Sequence, residues 1–417
     1  MDNAILTGCL LVTGVVLALL AQWKGWKPSF AVTLAVGIGF RVAIMILAVI
    51  SVWQPVDFVN SFKPAGEAIL AHKDPVLESN GGWHFLPTIP YIYGLLLWLN
   101  IPWEIAGRLV TVVADIILIP LVGKLAGRGD GRLRAFQYAC NPLALLVASI
   151  HGQVEPVSLV FGVAAFVVAR NARTSRPVRN AIVAGLLMGL ALCAKSWPIW
   201  LVPGMLLFLP GLRSRLYGLF ATGVPPLFFL ATLPIGAGTS LSQLPEVIKT
   251  IGDVRPIIGE WGWTAIAVGG HWTLDADLAR YGQWMIYGSL LIVGILWRRA
   301  DPIDLTTALL LTFMVVTPRL GAQYLLWFMP FLVARPTRLA WPAIIGTSTW
   351  AAIGYLYLTQ YTAADWAALH APWAMSSIVL LPVLAAALPW GARRTGGIVL
   401  DTSVDDQPRS PVRASTS

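Results

Sequence analysis

Long apolar stretches separated by short polar or basic connections run along almost the whole chain. Several of these stretches approach the roughly 20 residues that a helix needs to cross the hydrocarbon core of a bilayer. A backbone inside lipid must satisfy its own hydrogen bonds, so each stretch is predicted to be helical. The pattern therefore predicts an all-α, polytopic transmembrane bundle. The clearest apolar stretches are 4–22, 30–52, 109–123, 339–358 and 375–388.

The basic residues between these stretches set the predicted orientation, because Lys and Arg collect in cytoplasmic loops. A threading that places every basic cluster on the cytoplasmic side puts the N-terminus outside. It gives about thirteen spans within a single domain, 1–400. The predicted spans are 3–22, 29–52, 105–126, 135–150, 156–170, 181–196, 198–211, 216–234, 280–298, 303–318, 322–335, 340–360 and 373–391.

The same threading leaves two long polar segments outside, 53–104 and 235–279, with a shorter one at 361–372. The last residues, 401–417, are rich in Ser, Asp and Pro. Such a composition cannot bury enough apolar surface to order itself. We therefore expect a disordered cytoplasmic tail there.

One apolar stretch, 86–103, does not fit this threading. If it crossed the membrane, every later basic loop would lie outside the cytoplasm. Its helical pattern is also interrupted by Pro87, Pro90 and Pro102. We interpret it as an external or partly inserted segment, with a true span and a weaker charge bias as the alternative.

Composition supports the membrane assignment. Hydrophobic residues make up 57% of the chain and charged residues 12%, against about 25% charged in soluble domains, and the mean hydropathy is +0.72. The net charge of +9 fits basic cytoplasmic loops, so nucleic acid is not an expected partner. Cys9, Cys140 and Cys193 lie in apolar stretches without paired spacing, so neither a disulfide framework nor a metal site is expected.

Asp57 is the first candidate for chemistry. It follows the second predicted span, where a carboxylate can accept a proton from a hydroxyl presented at the membrane surface. The residues after it have apolar positions at helical spacing (Phe58, Phe62, Ala65, Ile69), which predicts an amphipathic helix along the interface. The alternative is that Asp57 only caps this helix.

A second candidate is the polar turn 151–155 between two apolar stretches, on the same side as Asp57. His151 and Glu155 in this turn are candidate acid–base or sugar-binding groups, and Pro156 is placed to begin the next helix. The alternative is an ordinary solvated turn with a Glu at a helix N-terminus.

Isolated cations in or beside apolar stretches form a third group. Lys195 and Arg319 lie at outer helix ends, away from the cytoplasmic basic clusters. Either can hold an anionic phosphate, although each alone is more often an interface anchor. Arg41 interrupts an apolar helix, where an unpaired charge is costly, so we expect it to pair with an acid such as Asp115.

Aromatic residues are abundant, as is usual at membrane interfaces. In the segment 235–279, Trp261 and Trp263 stand beside Glu260. Aromatic faces there can stack on the apolar face of a sugar, so these residues are candidate sugar-binding groups.

These motifs, in their order and common sidedness, resemble the GT-C superfamily of membrane glycosyltransferases, which use polyprenyl-phosphate sugars as donors. They are spread over most of the chain, and the nearest likeness is to actinobacterial-type mannosyltransferases acting on lipid-linked glycans such as phosphatidylinositol mannosides. The two prolines at 87 and 90 are not adjacent as in the family's tyrosine–proline–proline region. The motifs are Asp57 with 66–75, 85–94, 151–156 followed by 189–198, and 317–332.

The resemblance implies roles for individual residues. Asp57 would be the general base, and Glu155, with His151 beside it, would occupy the position of the second acid, where the family often has Asp. The implied donor-phosphate ligands are Lys195, Arg319 and Gln323, and the implied acceptor or sugar-binding residues are Lys63, His84, Glu260, Trp261 and Trp263.

The implied reaction moves a sugar, mannose by the nearest likeness, from a polyprenyl-phosphate donor to a lipid or glycan acceptor outside the cytoplasm. The protein would lie in the plasma (cytoplasmic) membrane with its active site facing outside. A polyprenyl phosphate leaving group needs no resident cofactor, and a metal shared by Asp57 and Glu155 is the alternative. The rival functions are a transporter or flippase of a lipid-linked sugar and a scaffolding subunit.

Overall fold

The structure, a computed structural model, describes residues 2–79, 82–127, 129–253 and 257–393. These residues are predominantly helical, as the apolar pattern predicts. Two short strands, β1 (Ile257–Ile258) and β2 (Thr273–Leu274), pair antiparallel. The predicted disordered tail, 401–417, lies outside the described residues.

Among the described residues, eight helices precede the turn at 151–155. Two π-helical turns also lie in this part of the chain. Phe58–Phe62 directly follows Asp57, and Leu146–His151 ends at His151. The helices are α1 (Asp2–Lys24), α2 (Phe30–Val49), α3 (Lys63–Leu70), α4 (Pro75–Glu78), α5 (Thr88–Trp98), α6 (Trp103–Ala126), α7 (Gly131–Ala139) and α8 (Pro142–Leu145).

The remaining described helices follow the turn, and the segment 235–279 contains two of them beside the strand pair. They are α9 (Glu155–Asn171), α10 (Pro177–Ala194), α11 (Val202–Phe208), α12 (Gly211–Gly236), α13 (Leu244–Gly252), α14 (Gly262–Ala267), α15 (Ala276–Leu296), α16 (Pro302–Val316), α17 (Met329–Ala334), α18 (Ala340–Ala352), α19 (Ala363–Ser376) and α20 (Leu380–Ala386).

Six helical segments among the described residues are long and apolar enough to cross a membrane, so the chain is a multi-pass membrane protein. Other predicted spans contain shorter elements, and the count of thirteen stays a prediction. The predicted span 135–150, for example, is divided between α7 and α8. The side chain of Asn141 caps α8 by accepting hydrogen bonds from the backbone amides of Leu143 and Ala144. The six segments are Asn3–Lys24, Phe30–Val49, Trp103–Ala126, Pro177–Ala194, Gly211–Gly236 and Ala368–Ala386.

The stretch at 86–103 contains only α5, with 11 residues. A helix of that length spans about 16 Å, roughly half of a hydrocarbon core. It packs closely on α3, where an added side chain on Gly66 would meet Tyr93, and one on Gly94 would meet Ile69. This geometry favours the external or partly inserted interpretation. The apolar face of α3 therefore packs on protein.

The predicted pairing of Arg41 with Asp115 is confirmed. Arg41 Nε lies 2.8 Å from Asp115 Oδ2, and both side chains are fully buried between α2 and α6. Tyr138 donates to the other carboxylate oxygen at 2.7 Å, and Arg41 also donates to the carbonyl of Ala139. A buried charge pair needs such additional partners, because desolvation otherwise exceeds the Coulomb attraction.

Small residues let α10 and α12 approach closely, as is common between membrane helices. A methyl group on Gly185 would collide with the backbone oxygen of Gly218, and one on Gly189 would collide with Thr222 and Pro225. The end of α12 and the residues after it are joined to the segment 53–104. Thr239 donates to Asp74 at 2.6 Å, joining 235–279 to 53–104.

Candidate active site

Asp57 lies between the end of α2 and the π-helical turn that leads into α3. Its side chain makes no capping hydrogen bond to that turn, although it occupies the capping position. The backbone after it is fixed from α6, because the indole of Trp103 donates to the carbonyl of Phe58 at 3.1 Å. The Arg108 guanidinium lies 4.3 Å from the centre of the Phe58 ring. Asp57 therefore does not cap this turn through its side chain.

The turn after His151 contacts Arg108 and Phe58, which also fix the segment around Asp57. Arg108 donates from Nε and Nη2 to the carbonyl of Ile150, at 3.1 and 2.9 Å. Gly152 has a φ of +69°, a conformation that L side chains rarely adopt. A Cβ at Gly152 would also lie 2.8 Å from the Phe58 ring. Arg108 and Phe58 thus join the turn to the segment that carries Asp57.

The structure brings Asp57 and His151 together, as their predicted common side requires. Gln153 Nε2 donates to Asp57 Oδ2 at 2.9 Å, and His151 Nε2 lies 3.9 Å from the same oxygen. The other ring nitrogen, His151 Nδ1, is 2.6 Å from the hydroxyl of Tyr355. Asp57 keeps 49% of its side chain exposed, whereas His151 keeps 8%. One accessible carboxylate is therefore oriented by buried partners.

Burial lowers the pKa of His151 to about 4; the Asp57 carboxylate opposes this, while Lys195 and Arg108 add to it. The imidazole is therefore neutral near pH 7. At 3.9 Å the Nε2 atom makes no direct hydrogen bond to Asp57, and the hydrogen bond between Nδ1 and Tyr355 runs in the direction that the tautomer sets. The neutral imidazole leaves the negative charge on Asp57.

Lys195 and Glu155 form a buried pair next to this group. Lys195 Nζ lies 2.5 Å from Glu155 Oε1, and the side chains are 6% and 0% exposed. Nζ also donates to Gln153 Oε1 at 3.3 Å. Gln153 thus connects the pair to Asp57, and Glu155 is positioned as the counter-ion of Lys195.

Aromatic rings cover the ammonium of Lys195. Its Nζ is 5.3 Å from the centre of the Phe85 ring and 5.1 Å from that of Tyr324, within cation–π distance. Tyr324 also interacts electrostatically with Arg319. Arg319 lies in the connection that follows α16, and Gln323 lies in the helical turn Ala322–Leu326. Both side chains are partly buried. The two isolated cations therefore share Tyr324 as a neighbour.

The predicted sugar-binding residues are placed differently from one another. His84 is exposed, with its ring 5.4 Å from that of Phe85, so it borders the covered ammonium. Lys63 is partly buried on α3 and pairs with the exposed Glu67 at 3.9 Å. Glu260 lies 3.3 Å from His370 Nε2 and interacts electrostatically with Tyr355.

The two tryptophans are used for packing. Trp261 is fully buried, donates its indole N–H to the carbonyl of Met314 at 2.7 Å and packs on Trp350. Its ring therefore has no face open for a sugar in this structure. Trp263 is partly buried and donates to the carbonyl of Val316 at 3.0 Å. A half-exposed ring near Glu260 is Trp366, which stacks on His370.

Sequence reasoning did not assign Gln153, Tyr355, Tyr324 or Arg108 to the site. Gln153 lies inside the predicted turn, and the position of its amide between His151 and Glu155 was an available signal. Tyr355 and Tyr324 stand in apolar stretches, where nothing in the pattern separates them from interface aromatics. Arg108 in the first turns of an apolar helix was an available signal, like Arg41.

Compared with protein-family models, curated proteins and solved structures, the chain has no significant match in any of the three.

Proposed function

We propose that this multi-pass membrane protein is a glycosyltransferase that moves a sugar from a polyprenyl-phosphate donor to a lipid-linked glycan acceptor, with Asp57 as general base. One observation carries the proposal. An accessible carboxylate accepts a hydrogen bond from Gln153, lies 3.9 Å from neutral His151, and is joined through Gln153 to the buried cation of Lys195. This juxtaposition suits a reaction in which a hydroxyl loses a proton while an anionic group departs.

In the proposed step, an Asp57 oxygen accepts the proton of the acceptor hydroxyl. The hydroxyl oxygen forms a bond to the anomeric carbon of the donor sugar, and the bond from that carbon to the phosphate oxygen breaks. Positioned general bases contribute about 10² to 10⁴-fold to such rates. His151 and Gln153 would aim the carboxylate, and the neutral imidazole would leave its charge intact.

The leaving polyprenyl phosphate gains negative charge as the bond breaks. An ammonium has three N–H donors, and Lys195 uses two on Glu155 and Gln153, so one is left for a phosphate oxygen. Arg319 and Gln323 would complete the phosphate site around Tyr324. Preorganised donors in a site with little water stabilise developing charge strongly. The proposal includes no resident cofactor or divalent metal.

The choice of mannose, and of a phosphatidylinositol-mannoside-type acceptor, is supported by the resemblance of the motifs. Lys63, His84 and Glu260 would contact acceptor or sugar hydroxyls at the edge of the site. The outward orientation is supported by the basic connections, which lie at the other helix ends.

The test is sugar transfer by the purified protein in detergent, with labelled polyprenyl-phosphate mannose and a mixed lipid acceptor pool. A micelle has no second compartment, so a transporter or flippase would produce no new glycolipid. Labelled glycolipid that depends on the protein supports the proposal. Intact donor after long incubation, with this sugar and with other polyprenyl-phosphate sugars, contradicts it.

A further inference from the structure

A cavity of about 1150 Å³ lies at the other end of the helix bundle from Asp57. Helix α6 begins at Trp103, which contacts Phe58 beside Asp57, and ends at Ala126, which lines the cavity. Its 24 residues place these ends about 36 Å apart. The cavity is therefore independent of the candidate active site, and its size slightly exceeds the roughly 300–1,000 Å³ of small-molecule pockets.

Arginine side chains dominate the polar wall of this cavity, which Arg134, Arg335 and Arg338 line together with Asp130 and Asp304. The two aspartates are already engaged. Asp130 lies 3.3 Å from Lys27, which precedes α2, and Asp304 lies 3.1 Å from Arg335. The wall therefore carries a surplus of positive charge.

Two of the arginines have unused hydrogen-bonding capacity. Arg134 is nine-tenths buried, and its Nη1 donates to Gln22 and Gln137, each at 2.7 Å. Its Nε has no hydrogen-bond partner among the described residues, which is costly for a buried donor. Arg338 is exposed, and no hydrogen bond or ion pair joins it to the described part of the chain. An anionic ligand would pair with Arg338 and with the part of Arg134 that lines the cavity.

Other residues of the lining are apolar. Leu339, Leu388 and Trp390 are among them, and Trp390 is half-exposed with its ring against Trp297. An indole that is partly exposed at a helix end is typical of the headgroup level of a bilayer. The cavity therefore combines a cationic wall with an apolar wall at the depth where phosphate and acyl chains of a phospholipid meet.

From this geometry we infer that the cavity binds the phosphate of an anionic phospholipid from the leaflet at the basic end of the bundle. Arg338 and Arg134 would contact phosphate oxygens, and the Trp390 wall would contact the glycerol and first acyl carbons. Arg335, held between Asp301 and Asp304, would fix the shape of the site. The inference does not depend on the proposed glycosyl transfer.

The experiment is native mass spectrometry of the full chain in detergent, titrated separately with phosphatidylglycerol, phosphatidylcholine and inorganic phosphate. A basic residue near a membrane surface contributes about fivefold to binding an anionic lipid. We therefore expect Arg338→Gln to weaken phosphatidylglycerol binding about fivefold. Arg179→Gln is the matched control, because Arg179 is exposed at the same end on α10 and does not line the cavity.

Three results would overturn the inference. They are equal binding of the two lipids, equal effects of the two arginine variants, and full displacement of phosphatidylglycerol by millimolar inorganic phosphate. The last would assign the cavity to a soluble phosphate. Trp390→Ala is a second probe that we expect to weaken the lipid while leaving inorganic phosphate unaffected. Unchanged melting temperatures in phosphatidylcholine would show that the variants are folded.

Discussion

His151 joins the accessible carboxylate of Asp57 to the buried hydroxyl of Tyr355. Its neutrality is a consequence of burial, which lowers its pKa to about 4. A charged imidazole would instead hold Asp57 as an ion pair and weaken it as a base. The value of this residue to the proposed chemistry therefore lies in staying uncharged.

The same burial predicts a dependence of stability on pH. The folded-state pKa lies below the unfolded value of 6.5, so the stabilisation is present above pH 6.5 and is lost as the pH falls towards 4. The full difference corresponds to about 3 kcal/mol. Relative to His151→Gln, wild type should lose melting temperature between pH 7 and 4.5. Tyr355→Phe keeps the imidazole and should retain the slope, and a parallel profile for His151→Gln would contradict this origin.

Lys195 and Glu155 allow structure and chemistry to be separated. Breaking a buried pair on one side leaves an uncompensated charge and costs about 3–5 kcal/mol. We therefore expect Lys195→Met to lower thermal stability strongly in detergent. The double variant Lys195→Met with Glu155→Gln should recover most of that stability but little sugar transfer. If it recovered transfer as well, Lys195 would have only a structural role.

At the scale of elements, the site depends on how two turns are locked together. Gly152 is in the left-handed region, and its Cα faces the Phe58 ring. Gly152→Ala should cost about 1–2 kcal/mol from the backbone alone, with displacement of the ring in addition. Gly39→Ala in α2 is the control, because a Cβ there meets nothing within 4 Å. Equal melting temperatures for the two variants would contradict this account of the turn.

The sequence predicted elements better than contacts. Several predicted spans, such as 3–22, 29–52, 105–126 and 156–170, coincide with single helices to within a few residues, because lipid leaves the backbone few alternatives, whereas others contain shorter elements. The Arg41–Asp115 pair was predictable for the same reason, since a charge in lipid needs a partner. The Gln153–Asp57 and Tyr355–His151 contacts join positions 96 and 204 residues apart. Apolar periodicity carries no information about such distances, so those partners could not be assigned.

At the scale of the whole molecule, Asp57 lies at one end of α2 and α6, and the basic residues around the cavity lie at the other end of these two helices. The positive-inside rule then predicts that Asp57 faces outside the cytoplasm. In a background with Cys9 replaced by Ala, Lys63→Cys should react with a membrane-impermeant maleimide on intact cells. Arg179→Cys should react only after permeabilisation. The reverse pattern would contradict the outward-facing site.

Wild type and Asp57→Asn differ by one proton-accepting oxygen, and their comparison in the sugar-transfer assay tests the central claim most directly. Glu67→Gln is the matched control, an exposed carboxylate on the neighbouring α3. At equal folded yield and saturating donor, Asp57→Asn should lower kcat by about 10² to 10⁴-fold, while Glu67→Gln stays near wild type. Transfer by Asp57→Asn within a few-fold of wild type would contradict its role as the general base.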